Sequence, residues 1–362
     1  MNDEELRRRI LLEYEASFGS YNDFASAMTN LIAVMLKNSN ICPQSLVARV
    51  KTRQSLAEKV GREGKTYTAL TDVTDICGIR IVLYFSDDVD RVCRLLDKEF
   101  SVDQRSVDKR TAMDPDRFGY LSVHKIVSFS AERAKLLEYA AFSRMVAEIQ
   151  VRSVLQHAWA EMEHDLGYKG STALPREQKR RFSRLAGMLE LADDEFCRLR
   201  DELAQYRQQV TNELNRGAKD VELNAESLAA FLSSQKYQDL AIDPDALNMK
   251  RTVNTGIVAG RLTHLGIMTI GEVEEGLRSY RDDILKLNQG YRDEGHVVSK
   301  LKGSDLTSLS YVICARTRGT VAAMRKMMTS TGKVAPNWPE DVFHVCEQAG
   351  IVAKGAASEN SD

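Results

Sequence analysis

Hydrophobic and polar positions change their period sharply between Ala147 and Lys169, in the stretch AEIQVRSVLQHAWAEMEHDLGYK. Ala147, Ile149 and Val151 alternate with Glu148, Gln150 and Arg152, which predicts a strand with one apolar and one polar face. From Ser153 the repeat becomes helical. His157, Glu161 and His164 share one helix face, while Trp159, Met162 and Leu166 lie on the flank that packs inward. A polar strand face therefore runs directly into a polar helix face.

The same reading carried along the chain gives a regular order of elements. Asp3 to Lys37 is helical, with Met28, Leu31, Ile32, Met35 and Leu36 forming one apolar stripe. LVARVKTR alternates, so Arg49, Lys51 and Arg53 project from one face of a short strand and make a local anion site; an edge strand kept basic against aggregation is the plainer reading. Ser55 is placed to cap the helix SLAEKVGR, whose first amides add to that field. TDVTDICGIRIVLYF is the most apolar strand, with Asp75 at its mouth and Arg80 inside it. A carboxylate there suits a hard divalent cation, and equally a turn. A helix from Asp88 to Phe100, a strand through Val107, the long polar loop DKRTAMDPDRFGY and the strand LSVHKIVSF follow, the last with Ser122 and His124 on one face. A short helix from Glu132 to Ala140 leads to the Glu148 strand. Strands and helices in this order predict an α+β fold, a mixed β-sheet flanked by helices.

The chain has 362 residues, enough for two domains, and its net charge of −2 gives no global nucleic-acid footprint in the totals. Any polyanion site must be local. Six dispersed cysteines without a CxxC pair read as reduced thiols, and the charged start MNDEELRRR together with the lack of a long apolar run predicts a cytoplasmic protein with no membrane segment.

DICGIRIV, FGYLSVH and EIQVRSVLQHAWAEMEHDLGYK resemble, in order and spacing, the three signature blocks of the RelA/SpoT nucleotide synthetase domain. The resemblance runs from Leu46 to Lys169 and is closest to the small, single-activity alarmone synthetases. It implies transfer of the β,γ-pyrophosphate of ATP to the 3′-hydroxyl of GTP or GDP, with Mg²⁺ as cofactor. By the same resemblance Arg49, Lys51, Ser55, Lys59 and Arg80 match the ATP side. Asp75 and Glu148 match the metal carboxylates, Glu148 also assisting deprotonation of the acceptor hydroxyl. Tyr120 matches the aromatic that stacks on the acceptor base, and His124, Gln150 and Arg152 match groups around the acceptor, with His157, Glu161 and His164 completing the wall. The lysine that often precedes the Gly-Tyr pair is missing; Arg117, Lys109 or Arg110 are the substitutes, which leaves acceptor preference open. Two other functions stay open: a toxin that pyrophosphorylates the 3′ end of tRNA and carries a fused neutralising or phage-sensing domain, and a silent nucleotide-binding module, against which the intact Asp75 and Glu148 argue. The histidine pair His157 and His164 lacks a third ligand for zinc.

The second half of the chain carries no such chemistry. Leu185, Met188, Leu189, Ala192, Phe196, Leu199, Leu203 and Tyr206 form a helical packing stripe that is expected to brace the sheet. NAESLAAFL opens with a capping box at Asn224, and LTHLGIMTIGEVEEGL reads as two short helices around a turn, faintly similar to helix-hairpin-helix elements that hold nucleic-acid backbones. The expected division is a synthetase domain at 1–216, a mainly helical accessory or regulatory domain at 217–353 that binds a protein trigger, and a disordered tail at 354–362. A homo-oligomer is compatible with the resemblance.

Overall fold

The computed structural model describes residues 3–62, 67–108, 122–166, 175–243, 247–249, 251–294 and 301–352. They fall into two compact units, Met1–Leu199 and Arg200–Asp362. The tail at 354–362 lies outside the described residues.

The first unit is a six-stranded mixed sheet with helices packed on it. In chain order it contains α1 (Asp3–Asn38), β1 (Pro43–Val50), α2 (Arg53–Val60), β2 (Cys77–Leu83), α3 (Ser86–Glu99), β3 (Phe100–Val102), β4 (Val107–Asp108), β5 (Val123–Phe129), β6 (Ala147–Ser153) and α4 (Val154–Asp165). The strand order is β1-β2-β6-β5-β3, with β4 paired to β5. Among the described residues of this sheet, β2 and β6 run parallel and the other pairs are antiparallel.

Side-chain alternation divides the sheet into two faces. Ile79, Ile81, Ala147, Ile149, Val151, Val123 and Val127 are buried on one face under α1 and α3. Burying each large member contributes on the order of 1.5–3 kcal/mol. The apolar stripe of α1 extends beyond the one expected: Ile10, Tyr14, Phe24, Met28 and Ile32 are all at most 1% exposed. Tyr14 also donates from its hydroxyl to the Lys51 carbonyl, which ties α1 to the turn that follows β1.

Three sequence expectations are corrected here. Thr52, rather than Ser55, caps α2, since the Ser55 amide donates to Thr52 Oγ1 at 3.2 Å. Arg53 is the first residue of α2 and pairs with Glu15, so it leaves the row of Arg49 and Lys51. The expected helix from Glu132 to Ala140 is two 3₁₀ turns, Arg133–Lys135 and Ala140–Phe142. Aromatic packing explains this: Tyr139 stacks on Phe129 at 4.5 Å and Phe142 meets Phe24 at 5.7 Å, which a continuous helix would not serve.

The long helix α5 (Arg176–Asn215) contains the boundary between the units. In the first unit it packs through Phe182 and Ala186 against Trp159, the two rings 3.9 Å apart, and through Asp193, which accepts from the Ser153 hydroxyl at 2.5 Å. Of the stripe expected to brace the sheet, Leu185, Met188, Phe196 and Leu199 are half or more exposed, whereas Leu189 packs with the Trp159 cluster and Tyr206 with the core of the second unit. The packing stripe lies about one helical position away, and its polar member, Asp193, hides it from a hydrophobicity reading.

The second unit is helical. It takes the last turns of α5, through Val210 and Leu214, together with α6 (Ala225–Ser233), α7 (Gln235–Leu240), α8 (Thr255–His264), α9 (Ile270–Ser279), α10 (Arg281–Asp293), α11 (Ser304–Thr317), α12 (Val321–Thr329) and α13 (Trp338–Gln348). Every residue from Ser304 to Ala315 is buried, so α11 is the central helix. Asp305 in it accepts from the Ile242 amide and from Asn288, and Ser308 donates to Asn288. Asn224 caps α6 as expected. At the turn between α8 and α9 the amides of Ile270 and Gly271 donate to the Val221 and Lys219 carbonyls. The backbone donors that a nucleic-acid phosphate would need there are therefore in use. Among the described residues no helix is long and apolar enough to cross a membrane.

Candidate active site

The polar face of the sheet collects the functional side chains because the strand registers bring them into rows. Arg49 lies opposite Gly78, and Gly78 opposite Glu148. In the next row Val47, Arg80, Gln150 and His124 are successive partners across β1, β2, β6 and β5. Glycine at 78 puts no side chain between Arg49 and Glu148.

Two cavities open along this face. The first, of about 230 Å³, is lined by residues that include Arg49, Lys51, Asp75, Gly78, Arg80, Glu148, Gln150 and His157. The second, of about 400 Å³, is lined by Arg49, Lys51, Ser55, Glu58, Lys59, Arg62, Asp75 and His164. Arg49, Lys51 and Asp75 belong to both. Four cations against two carboxylates make the second cavity a place for a polyanion.

Asp75 sits where the cavities meet. Its Oδ2 is 3.0 Å from Lys51 Nζ and 2.7 Å from Lys59 Nζ. Its Oδ1 is buried and has no hydrogen-bond partner among the described residues. A buried carboxylate oxygen without a donor is a coordination position for a hard cation.

Glu148 anchors a line of hydrogen bonds along β5 and β6. Its Oε1 is 2.6 Å from His124 Nδ1 and accepts from Gln150 Nε2 at 3.2 Å; Gln150 Oε1 in turn accepts from the guanidinium of Arg152. The bond from His124, helped by Gln150 and Lys59 and opposed by burial, holds the Glu148 carboxyl down at about 2. It is ionised throughout the physiological range. Asp75 and Glu148 are thus two carboxylates on one cavity, enough to hold Mg²⁺ when phosphate oxygens supply further ligands. No cluster of three or more metal-ligating side chains occurs among the described residues.

At the other wall, Glu161 Oε1 is 3.3 Å from Arg80 and 3.6 Å from His157 Nδ1. Burial, with Arg80 and Arg152 nearby, pushes the His157 imidazole down, so it is neutral near pH 7. Ser153 begins α4 with a capping box to Gln156 and so fixes where His157 and Glu161 fall.

The structure therefore brings together Asp75, Glu148, Arg49, Lys51, Arg80, Gln150 and His157 on the first cavity and adds Ser55, Lys59 and His164 on the second. His124 and Arg152 stand behind them, joined through Glu148 and Gln150. Tyr120, Lys109, Arg110 and Arg117 lie outside the described residues. Sequence reasoning missed Arg62 and Val47. Arg62 falls one helical turn after Lys59, a signal that was available; Val47 is signalled only by its register with Arg80.

Residues 48–173 match the region found in RelA / SpoT proteins. This part of the chain is similar to a RelA/SpoT-type pyrophosphokinase domain. It is similar to GTP pyrophosphokinase YjbM of Bacillus subtilis (strain 168), 29% identical over 163 residues that make up 44% of this chain and 73% of the relative. GTP pyrophosphokinase YwaC of the same organism is 28% identical over 159 residues, 43% of this chain and 73% of that one. The crystal structure of the small alarmone synthetase 1 from Bacillus subtilis superposes with a TM-score of 0.44 at 26% identity, over 53% of this chain and 98% of the other.

Proposed function

We propose that the first unit transfers the β,γ-pyrophosphate of ATP to the 3′-hydroxyl of GDP or GTP, making (p)ppGpp. The observation that carries this reading is Asp75, flanked by Lys51 and Lys59 at the junction of a cationic cavity and the cavity of Glu148. Pyrophosphoryl transfer needs cations around the triphosphate, a place for metal, and an anionic acceptor of hydrogen bonds beside the attacking hydroxyl. The two cavities offer these in adjacent places.

In this reading Arg49, Lys51, Ser55, Lys59 and Arg80 take the donor nucleotide, the lysines moving from Asp75 to phosphate oxygens as it enters. Asp75 and Glu148 hold Mg²⁺, which when bound screens the charge of the transferred group. Glu148, ionised, orients the acceptor hydroxyl and assists its deprotonation as the new bond forms. Tyr120, Gln150, Arg152, His157 and Glu161 belong to the acceptor side.

Incubating the full chain with labelled ATP and GDP, GTP or deacylated tRNA in turn tests the assignment. Label carried to the guanosine nucleotide is the expected result. Label on tRNA alone would replace the acceptor, and no transfer to any of the three would overturn the reading.

We infer that the second unit regulates this activity in response to a protein trigger. The supporting observations are that every site residue precedes Gly170 and that the second unit holds a core of its own. Removing the chain after Arg216 should raise turnover if the unit inhibits. Unchanged turnover and substrate choice would discard the inference.

A further inference from the structure

Both ring nitrogens of His124 are engaged. Nδ1 lies 2.6 Å from Glu148 Oε1, and Nε2 lies 2.9 Å from the Ser122 hydroxyl. An ionised carboxylate only accepts hydrogen bonds, so the imidazole proton sits on Nδ1, and Nε2 is left to accept from Ser122 Oγ. Ser122 is 8% exposed. Gln150 Nε2 donates to the same Glu148 oxygen and is itself held by Arg152. Among the described residues, the donors to Glu148 therefore fall on Oε1.

We propose that Ser122 and His124 are positioning residues for Glu148: together they fix the imidazole as its Nδ1–H tautomer, immobilise Oε1, and so assign Oε2 to the acceptor hydroxyl. This rests on the reading of Glu148 as the carboxylate beside the acceptor. It separates His124 from the residues that touch the acceptor, because no ring nitrogen remains to do so. The strand register supports the arrangement: His124 faces Gln150 across β5 and β6, so imidazole, amide and carboxylate are neighbours through the sheet rather than through a loop. A carboxylate that swings by an ångström loses its alignment with the hydroxyl, and such misplacement costs on the order of a hundredfold in rate.

Two measurements on the full chain decide the matter. Nitrogen-15 NMR of the histidine rings should show His124 as the Nδ1–H tautomer, with that preference lost in Glu148→Ala and weakened in Ser122→Ala. An Nε2–H tautomer in the unsubstituted protein would overturn the proposal whatever the enzyme does. In transfer assays His124→Ala should lower kcat on the order of a hundredfold with little change in KM for either nucleotide, and His124→Asn, which keeps a donor near the Nδ1 position, should recover a large part of it. A raised acceptor KM with unchanged kcat would instead put His124 on the acceptor. If the unsubstituted chain transfers to no nucleotide, the functional reading fails, and the tautomer alone still decides the relay.

Discussion

Lys59 Nζ lies 2.7 Å from Asp75 Oδ2, the oxygen that Lys51 also approaches. Two ammonium groups thus compete with any cation for Asp75 until a triphosphate draws them off. Lys59→Met should therefore weaken use of ATP by on the order of 1.5–3 kcal/mol, the range of a hydrogen bond to a charged group. The same variant should bind Mn²⁺ more tightly in the absence of nucleotide. Calorimetric titration with Mn²⁺ alone, beside kcat/KM for ATP, checks both; no change in either would remove Lys59 from the donor site.

Asp75→Asn and Glu148→Gln keep shape and remove charge from the two carboxylates of the first cavity. Each should reduce pyrophosphate transfer by roughly a thousandfold or more, while the circular dichroism spectrum of the folded protein stays close to that of the unsubstituted chain. Near-normal turnover with either variant would sink that carboxylate's assignment.

Stability should depend on pH through Glu148 in a defined direction. Its carboxyl is held at about 2, below its ordinary value of 4.5, so its contribution is present above about 4.5 and is lost as pH falls toward about 2. Urea unfolding of the unsubstituted chain and Glu148→Gln should differ by about 2–3 kcal/mol near neutrality, with the gap closing as the solution is acidified. A gap constant with pH would show that His124 does not hold the carboxylate.

Asp193 runs the other way. Burial first, then Asp194 and Asp87, push its carboxyl up to about 7. The folded state therefore holds this proton more tightly than the unfolded one, and the cost of ionising it grows as pH rises from about 4 through about 7. Asp193→Asn, which can still accept from Ser153, should raise stability on the order of 2 kcal/mol at pH 8 and change little near pH 4. Equal effects at the two pH values would place Asp193 in water rather than buried against Ser153.

Tyr120→Ala should weaken acceptor use by on the order of 1–3 kcal/mol, the worth of a stacked base, and leave KM for ATP nearly unchanged. Equal losses on both substrates would make the tyrosine structural.

The sheet and its site were legible because period-two alternation fixes faces: Glu148, Gln150 and Arg152 read as one row, and the registers with Arg80 and His124 follow from the same parity. What escaped was decided by tertiary contact. Arg53 was counted with Arg49 and Lys51 by spacing, yet the strand ends at Val50 and the helix that Thr52 caps turns it toward Glu15. On α5 the apolar residues named an obvious stripe, and the helix packs by another in which Asp193 replaces a hydrophobe. The central helix α11 was missed because buried serines and Asp305 make it look like a surface segment.

The strand β6 is the last of the sheet to appear in the chain, yet it lies between β2 and β5. A polypeptide leaving the ribosome therefore contains β1, β2 and β5 before the strand that joins β2 to β5. The keystone arrives with Glu148 already on it. Pairing it with β2 means joining Cys77 to Ala147, a long loop to close and a late event in folding. The site proposed for transfer is therefore complete only once β6 has paired, because Glu148 and Gln150 are carried on it.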